Sequence, residues 1–322
     1  MNKQQGFAHI GILFLVVLLA IGGIGYMVYD SSQSKDSSAA NKAASNQSTP
    51  QESAGLSFED GIRLQPSSFG VAAGLPVADV SAIQLADGSW RIYAFGQGKG
   101  ILSAVSKDGI NFTADSGARL GDGAGMPRIL KLSDGRYRMF FIDAGGIGSA
   151  ISSDGLAFTK EPGKRISPPS GVPDISGVST PLKLADGKWH VYFSDLPRPG
   201  TGVKPHYVYS ATSTDLLTWQ LDDGYRIGGD KLSSSAEHPD AILDDKGDIL
   251  LYYFVNEGKK LMTAKSSDGL TFSDPQETGL DCNDPNIVSL GSAGYRIYCG
   301  DFNESVGGIV KSSKFSRLPA IP

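Results

Sequence analysis

Leu182-Lys-Leu-Ala-Asp-Gly-Lys-Trp-His-Val-Tyr192 reads as a strand, an Asp-Gly turn and a second, aromatic-rich strand, which is the strongest short-range hairpin signal a sequence offers. The pattern recurs as Ile83-Gln-Leu-Ala-Asp-Gly-Ser-Trp-Arg-Ile-Tyr93 and Leu130-Lys-Leu-Ser-Asp-Gly-Arg-Tyr-Arg-Met-Phe140. Two looser copies run from Ala241 to Tyr252 and from Ile287 to Tyr298. Downstream of the first four copies stands a second element: Ser106-Lys-Asp-Gly-Ile-Asn-Phe112, Ser152-Ser-Asp-Gly-Leu-Ala-Phe158, Ser213-Thr-Asp-Leu-Leu-Thr-Trp219 and Ser266-Ser-Asp-Gly-Leu-Thr-Phe272. Its aspartates are 46, 61 and 53 residues apart, so each repeat holds about four short strands, the content of a propeller blade. The expected fold is all-β, a five-bladed β-propeller over residues 56–322 with blades beginning near Leu75, Asp122, Pro173, Glu237 and Asp281; a β-sandwich or an open stack of hairpins is the alternative. The fifth copy stops near Phe315 without a fourth strand. Leu56-Ser-Phe-Glu-Asp-Gly-Ile-Arg-Leu64 resembles the segment Ile110–Leu120 that ends the first repeat, so the N-terminal segment is expected to complete the last blade and leave no open sheet edge.

The Ser-x-Asp-Gly-x-x-aromatic element is structural by its recurrence: the aspartate accepts turn N–H groups, glycine supplies positive φ, and the aromatic packs between sheets. It is one residue shorter than a sialidase Asp box, and no trio of arginines stands at matching positions. Asp143, Asp195 and Asp301 each close the second strand of a repeat and read as turn residues for the same reason.

The 322 residues are 40% hydrophobic and 20% charged, with 41 glycines and a net charge of −5. That is a folded, turn-rich composition. No basic run exceeds Lys259-Lys260, which speaks against nucleic acid as a partner. Two cysteines, without Cys-x-x-Cys or His-Glu-x-x-His, do not make a zinc centre, and no other cofactor is called for, although the propeller channel has room for a calcium or other ion. Residues 10–28 carry no side chain ionised at neutral pH, about the length that spans a hydrocarbon core. Residues 1–29 are therefore expected to be a transmembrane anchor; the rival, a cleaved signal peptide, has a shorter apolar run. Residues 30–55, rich in Ser, Ala and Asn, read as a flexible linker. Lys3 before the span and Asp30 after it place the C-terminal domain outside the cytoplasm of a single-pass cell-membrane protein. In that compartment a disulfide between Cys282 and Cys299 is expected.

Propellers usually bind ligands where the innermost strands begin. Counting back 14 residues from Tyr93, Phe140, Tyr192, Tyr252 and Tyr298 gives Asp79, Met126, Val178, His238 and Asp284, a position that breaks the symmetry of the blades. The five repeats and Glu237-His238-Pro239-Asp240 resemble the five-bladed glycoside hydrolases of family 43 (arabinanase/xylosidase type) and family 32 (invertase/levanase type). The resemblance implies a glycosidase with Glu237, two residues before Pro239, as the acid and Asp79 as the base. Inversion would need those carboxyls on opposite sides of the scissile bond. The third acid of the family comes between them, and Asp174 is its candidate, four residues ahead of the equivalent position in blade three. Asp79-Val80 stands where family members have Asp-Pro. His238, Asp284, His206 and Arg198, the last two in or beside the proline-rich insertion 196–205, are candidate substrate contacts. Each of these residues also has a plain structural reading as a channel-lining, strand-entry or loop residue. The second functional reading is a catalytically silent propeller that binds carbohydrate or a surface protein.

Overall fold

The computed structural model describes residues 56–196, 207–228, 236–255 and 260–318. Blade one comprises β1 (Val77–Gln84), β2 (Trp90–Gly96), β3 (Gly100–Ser106) and β4 (Thr113–Ala114), and blade two β5 (Ala124–Lys131), β6 (Tyr137–Asp143), β7 (Gly146–Ser152) and β8 (Thr159–Lys160). Blade three comprises β9 (Asp174–Val178), β10 (Leu182–Lys183), β11 (Trp189–Leu196), β12 (Val208–Ser213) and β13 (Gln220–Leu221). β14 (Ala236–Leu243), β15 (Ile249–Val255), β16 (Lys260–Ser266) and β17 (Gln276–Asp281) form blade four; β18 (Asn283–Ser289), β19 (Tyr295–Asn303) and β20 (Gly307–Phe315) belong to blade five. Every pairing is antiparallel, and the five-bladed propeller expected from the repeat is the fold. In blade three the inner strand is split, so that β9 and β10 both pair with β11.

The repeated residues join each blade to the next. Ser106 Oγ accepts from Gly109 N, and Asp108 Oδ1 accepts from Ile110 N and Asn111 N, so the element is a closed turn. Those N–H bonds hold the carboxyl of Asp108 well below the usual range, and the same bonds from Ala157 and Leu156 hold Asp154 down to about 2. The Tyr93 hydroxyl donates to Gly155 O of blade two, Tyr192 to Gly269 O of blade four, and Tyr298 to Gly109 O of blade one. Arginines on the outer strands repeat the joint: Arg63 reaches Ile110 O, Arg119 Leu156 O, Arg165 Leu217 O and Arg226 Leu270 O. Blade five carries no copy of the turn, and the buried Tyr252 hydroxyl, its counterpart in blade four, reaches no neighbouring blade among the described residues and faces Thr263 on the adjacent strand instead.

Residues 57–64 complete blade five along β20. Leu64 bridges Val310, Glu59 N donates to Ser312 O and Arg63 N to Val310 O. The same bridge occurs at the edges of the first three blades, as Ile101↔Leu120, Ile147↔Ile166 and Val208↔Ile227. Arg296 grips both oxygens of Glu59 at 3.0 Å. The ring is thus shut by the segment whose likeness to Ile110–Leu120 suggested it.

No helix among the described residues is long and apolar enough to cross a membrane. The anchor and linker expected over residues 1–55 lie outside the described residues.

Candidate functional site

Four inner strands carry the same irregularity. The pairing slips between Ala78 and Ser81, between Gly125 and Arg128, between Glu237 and Asp240, and between Asn283 and Asn286. Each slip is a bulge that re-aims one side chain. At its centre Asp79, Met126, His238 and Asp284 take left-handed φ of 54°, 52°, 46° and 48°. Positive φ costs non-glycine residues energy, least for Asp, Asn and His, and such strain gathers at functional positions. Blade three departs: Val178 keeps the regular ladder opposite Phe193, and its slip falls at Ser194–Asp195 instead.

Three of the four re-aimed side chains converge. His238 Nδ1 is bonded to Asp284 Oδ1 and lies 3.5 Å from Asp79 Oδ1. All three residues are less than a tenth exposed. Burial, then the negative charge of Asp284, lifts the Asp79 carboxyl to about 7, against the pull of His238 and Arg128. Burial works against a charged His238, yet Asp284 foremost, with Asp79 and Glu237, raises it to about 9. Near neutrality the imidazole is therefore a cation set between the two carboxyls. The backbone makes room: a methyl group on Gly177 would sit 2.8 Å from His238 Cα, and one on Gly300 2.9 Å from Asp284 Oδ2. The ring of His238 also meets Phe254 edge-on at 5.4 Å.

Asp79, His238 and Asp284 offer one ligand atom each within 4.8 Å of one another. Two carboxylates and an imidazole suit a divalent cation, which would have to displace the proton on His238.

The other expected site residues are distributed as follows. Glu237 precedes His238 on β14, is buried, and pairs through its backbone with Phe254. Asp174 opens β9 against the Ala144–Gly145 turn of blade two, where a side chain on Gly145 would collide with its carboxylate; it is not part of the Asp79–His238–Asp284 cluster. Arg198 and His206 lie outside the described residues. Cys282 and Cys299 are bonded to each other, joining the entry of β18 to the middle of β19 beside Asp284.

A second group was missed in the sequence. Two residues past the equivalent position stand Ser81, Arg128, Thr180, Asp240 and Asn286, all polar, four of them inside an inner strand and Thr180 in the break between β9 and β10. Arg128 donates to Val80 O at 2.7 Å and Pro285 O at 3.1 Å, and its Nε lies 3.8 Å from Asp240 Oδ1. Asp240 accepts from Thr180 N at 2.8 Å, Asn286 Nδ2 at 2.8 Å and Ile287 N at 2.9 Å. Asn286 Oδ1 accepts from Ala82 N at 2.8 Å, and Ser81 Oγ from Ile129 N at 3.0 Å. This belt ties all five blades together, and the positive charge of Arg128 acts on Asp79, lowering its carboxyl. The available signal was five polar residues at one spacing, where strand alternation alone would put apolar ones.

No family model matches the sequence, and no curated protein matches it. Solved structures match in fold. A thermostable family-43 glycoside hydrolase superposes with a TM-score of 0.62 at 14% identity, covering 78% of this chain and 96% of that one. The endo-arabinase from Bacteroides thetaiotaomicron gives 0.60 at 15% identity, with 80% and 98% covered. Fructan 1-exohydrolase IIa from Cichorium intybus gives 0.59 at 15%, with 79% of this chain covered and 57% of that one. The fold is the five-bladed β-propeller that these family-43 and family-32-type glycoside hydrolases also have. At these identities the likeness is one of fold.

Proposed function

We propose that the domain is a glycosidase-like enzyme that hydrolyses glycosidic bonds by inversion. Asp79 is the base that activates water, Glu237 the acid that protonates the leaving oxygen, and Asp174 the third acidic residue. The observation that carries this reading is Asp79, a buried carboxyl on a strained backbone at the start of the first inner strand, held near pH 7. A general base works best with its pKa near the working pH, and inversion asks for carboxyls about 6.5–9.5 Å apart.

The test is a screen of the full-length protein on nitrophenyl glycosides and polysaccharides. Asp79→Asn and Glu237→Gln should each lower turnover by about 10²–10⁴-fold without lowering the unfolding midpoint. Loss of stability in step with activity would instead make the two residues structural.

One observation favours a second reading, a silent propeller that binds carbohydrate or a surface protein. His238 stands between Asp79 and Asp284, and a carboxyl engaged by a cation is a poorer proton acceptor. Binding of glycans without cleavage by the wild-type protein would decide for it. Membrane anchoring through residues 1–29, with the propeller outside the cytoplasm, belongs to the same proposal. It requires the full-length protein to stay in the membrane fraction, and a shortened form in the medium would refute it.

A further inference from the structure

Arg128 is buried and stands directly after the bulge of β5. Two other buried arginines grip carboxylates with paired bonds, Arg138 on Glu161 at 3.0 and 2.9 Å and Arg296 on Glu59 at 3.0 Å. Arg128 does not. Its Nε lies 3.8 Å from Asp240 Oδ1 and makes no hydrogen bond among the described residues, and its fork goes to carbonyls instead. Nη1 donates to Val80 O at 2.7 Å and to Pro127 O at 3.3 Å, and Nη2 donates to Pro285 O at 3.1 Å. Val80, Pro127 and Pro285 are one position in three blades, each directly following a re-aimed residue: Asp79, Met126 and Asp284. Asp240 in turn directly follows the bulge of β14. One guanidinium therefore meets all four strands that slip at this position. Blade three keeps the regular ladder there and gives Arg128 no bond among the described residues.

A left-handed φ is unfavourable for a side-chain-bearing residue and persists only where surrounding contacts over-determine it. A carbonyl held by an ionised donor is such a contact, and it pins the chain immediately after the residue whose φ is at stake. Val80 is fully buried, so its carbonyl has no water to turn to. We infer that Arg128 is a positioning residue for the channel cluster: by spanning Val80 O and Pro285 O it holds the bulges of β1 and β18 in place and so brings the Asp79 and Asp284 carboxyls to His238. The shape of the group matters as well as its charge. A planar guanidinium reaches two separate carbonyls with fixed geometry, whereas an ammonium donates from a single point. The inference concerns how the cluster is assembled and does not depend on cleavage.

The test is NMR of the full-length protein in detergent, at neutral pH, with isotope-labelled histidine; the chain has four. The buried N–H that His238 shares with Asp284 should give a slowly exchanging resonance downfield of the backbone amides, identified by its loss in His238→Gln. Arg128→Lys keeps the charge and loses the fork, and should abolish that resonance while the dispersed amide spectrum shows a folded propeller. Ser81→Ala is the control: it removes the belt acceptor of Ile129 N but no carbonyl held by Arg128, and should keep the resonance. If Arg128→Lys fails to fold, Arg128→Gln, a shorter side chain without the fork, replaces it with the same expected loss. The inference is overturned if the wild type shows no such resonance, or if a folded Arg128 variant keeps it at the wild-type position. Equal loss in Ser81→Ala also overturns it, because the signal would then report the belt as a whole. The readout needs no turnover, so a propeller that binds without cleaving tests it equally well.

Discussion

In the proposed mechanism Asp79 is the base, and its environment sets a pH signature for that role. With the carboxyl raised to about 7 by burial and by Asp284, a base mechanism is protonated and silent in mild acid. Hydrolysis should rise about tenfold per pH unit up to roughly 7 and then level, as a kcat/KM profile would record. Replacing Asp284 with Asn removes the repelling charge and should move the rising limb to lower pH; a limb that stays near the ordinary carboxylate value of about 4 in the wild type would take Asp79 out of the mechanism. A second contrast concerns tyrosines. Tyr93→Phe strands the Gly155 carbonyl and should cost about 1–2 kcal/mol. Tyr252→Phe removes a hydroxyl that, among the described residues, meets only Thr263 of its own blade and no neighbouring blade, and should cost less. Equal losses in urea unfolding of the two variants would refute the role given to the interblade bond.

At the scale of the element, the closing strand bears the sharpest prediction. Glu59→Gln breaks a two-bond grip on Arg296, whose side chain is only 5% exposed. Since Glu59 is itself partly solvated, a loss of about 1–2 kcal/mol is expected, or a few degrees in the unfolding midpoint. Deleting residues 56–64 exposes the edge of β20 and should cost considerably more. A scanning calorimetry midpoint unmoved by the deletion would reduce the segment to linker. The strands, turns and closing segment were legible because they repeat: a hairpin written five times, and a likeness between 56–64 and 110–120, are local patterns. The belt of Arg128, Asp240 and Asn286 was not, because its members touch only after the ring is formed. Asp79, His238 and Asp284 were legible as one register position. Their left-handed backbone, and the departure of Val178 from it, depend on where each strand slips, which spacing alone does not encode. Asp174, four residues ahead of the equivalent position in the sequence, packs against the turn of a neighbouring blade, a contact that spacing does not encode.

For the whole molecule, two buried groups set the pH dependence of stability in the same direction. Asp79 binds its proton more tightly in the native state, about 7 against 3.8, so stability falls as pH rises between those values. His238 does likewise, about 9 against 6.5, and its contribution is complete below 6.5 and lost as pH passes 9. The turn aspartates, with lowered pKa, act oppositely but only in acid, Asp154 near 2. The unfolding midpoint should therefore decline from about pH 5 to 9. Asp79→Asn should flatten the part below 6.5, and a wild-type midpoint constant across the whole range would place these protons elsewhere.

The bridge between Leu64 and Val310 also fixes an order of events. A chain made from its N-terminus presents the closing strand first, while the strand it must join comes 246 positions later. Blades one to four can form from near neighbours as they appear. Residues 57–64 must wait, exposed and unmatched, until β20 has been synthesised, so closing the ring is a late, long-range step, and long-range steps are slow. A chaperone that shields extended segments would act on this stretch, and a chain stalled before β20 would carry an unsatisfied strand at its front end.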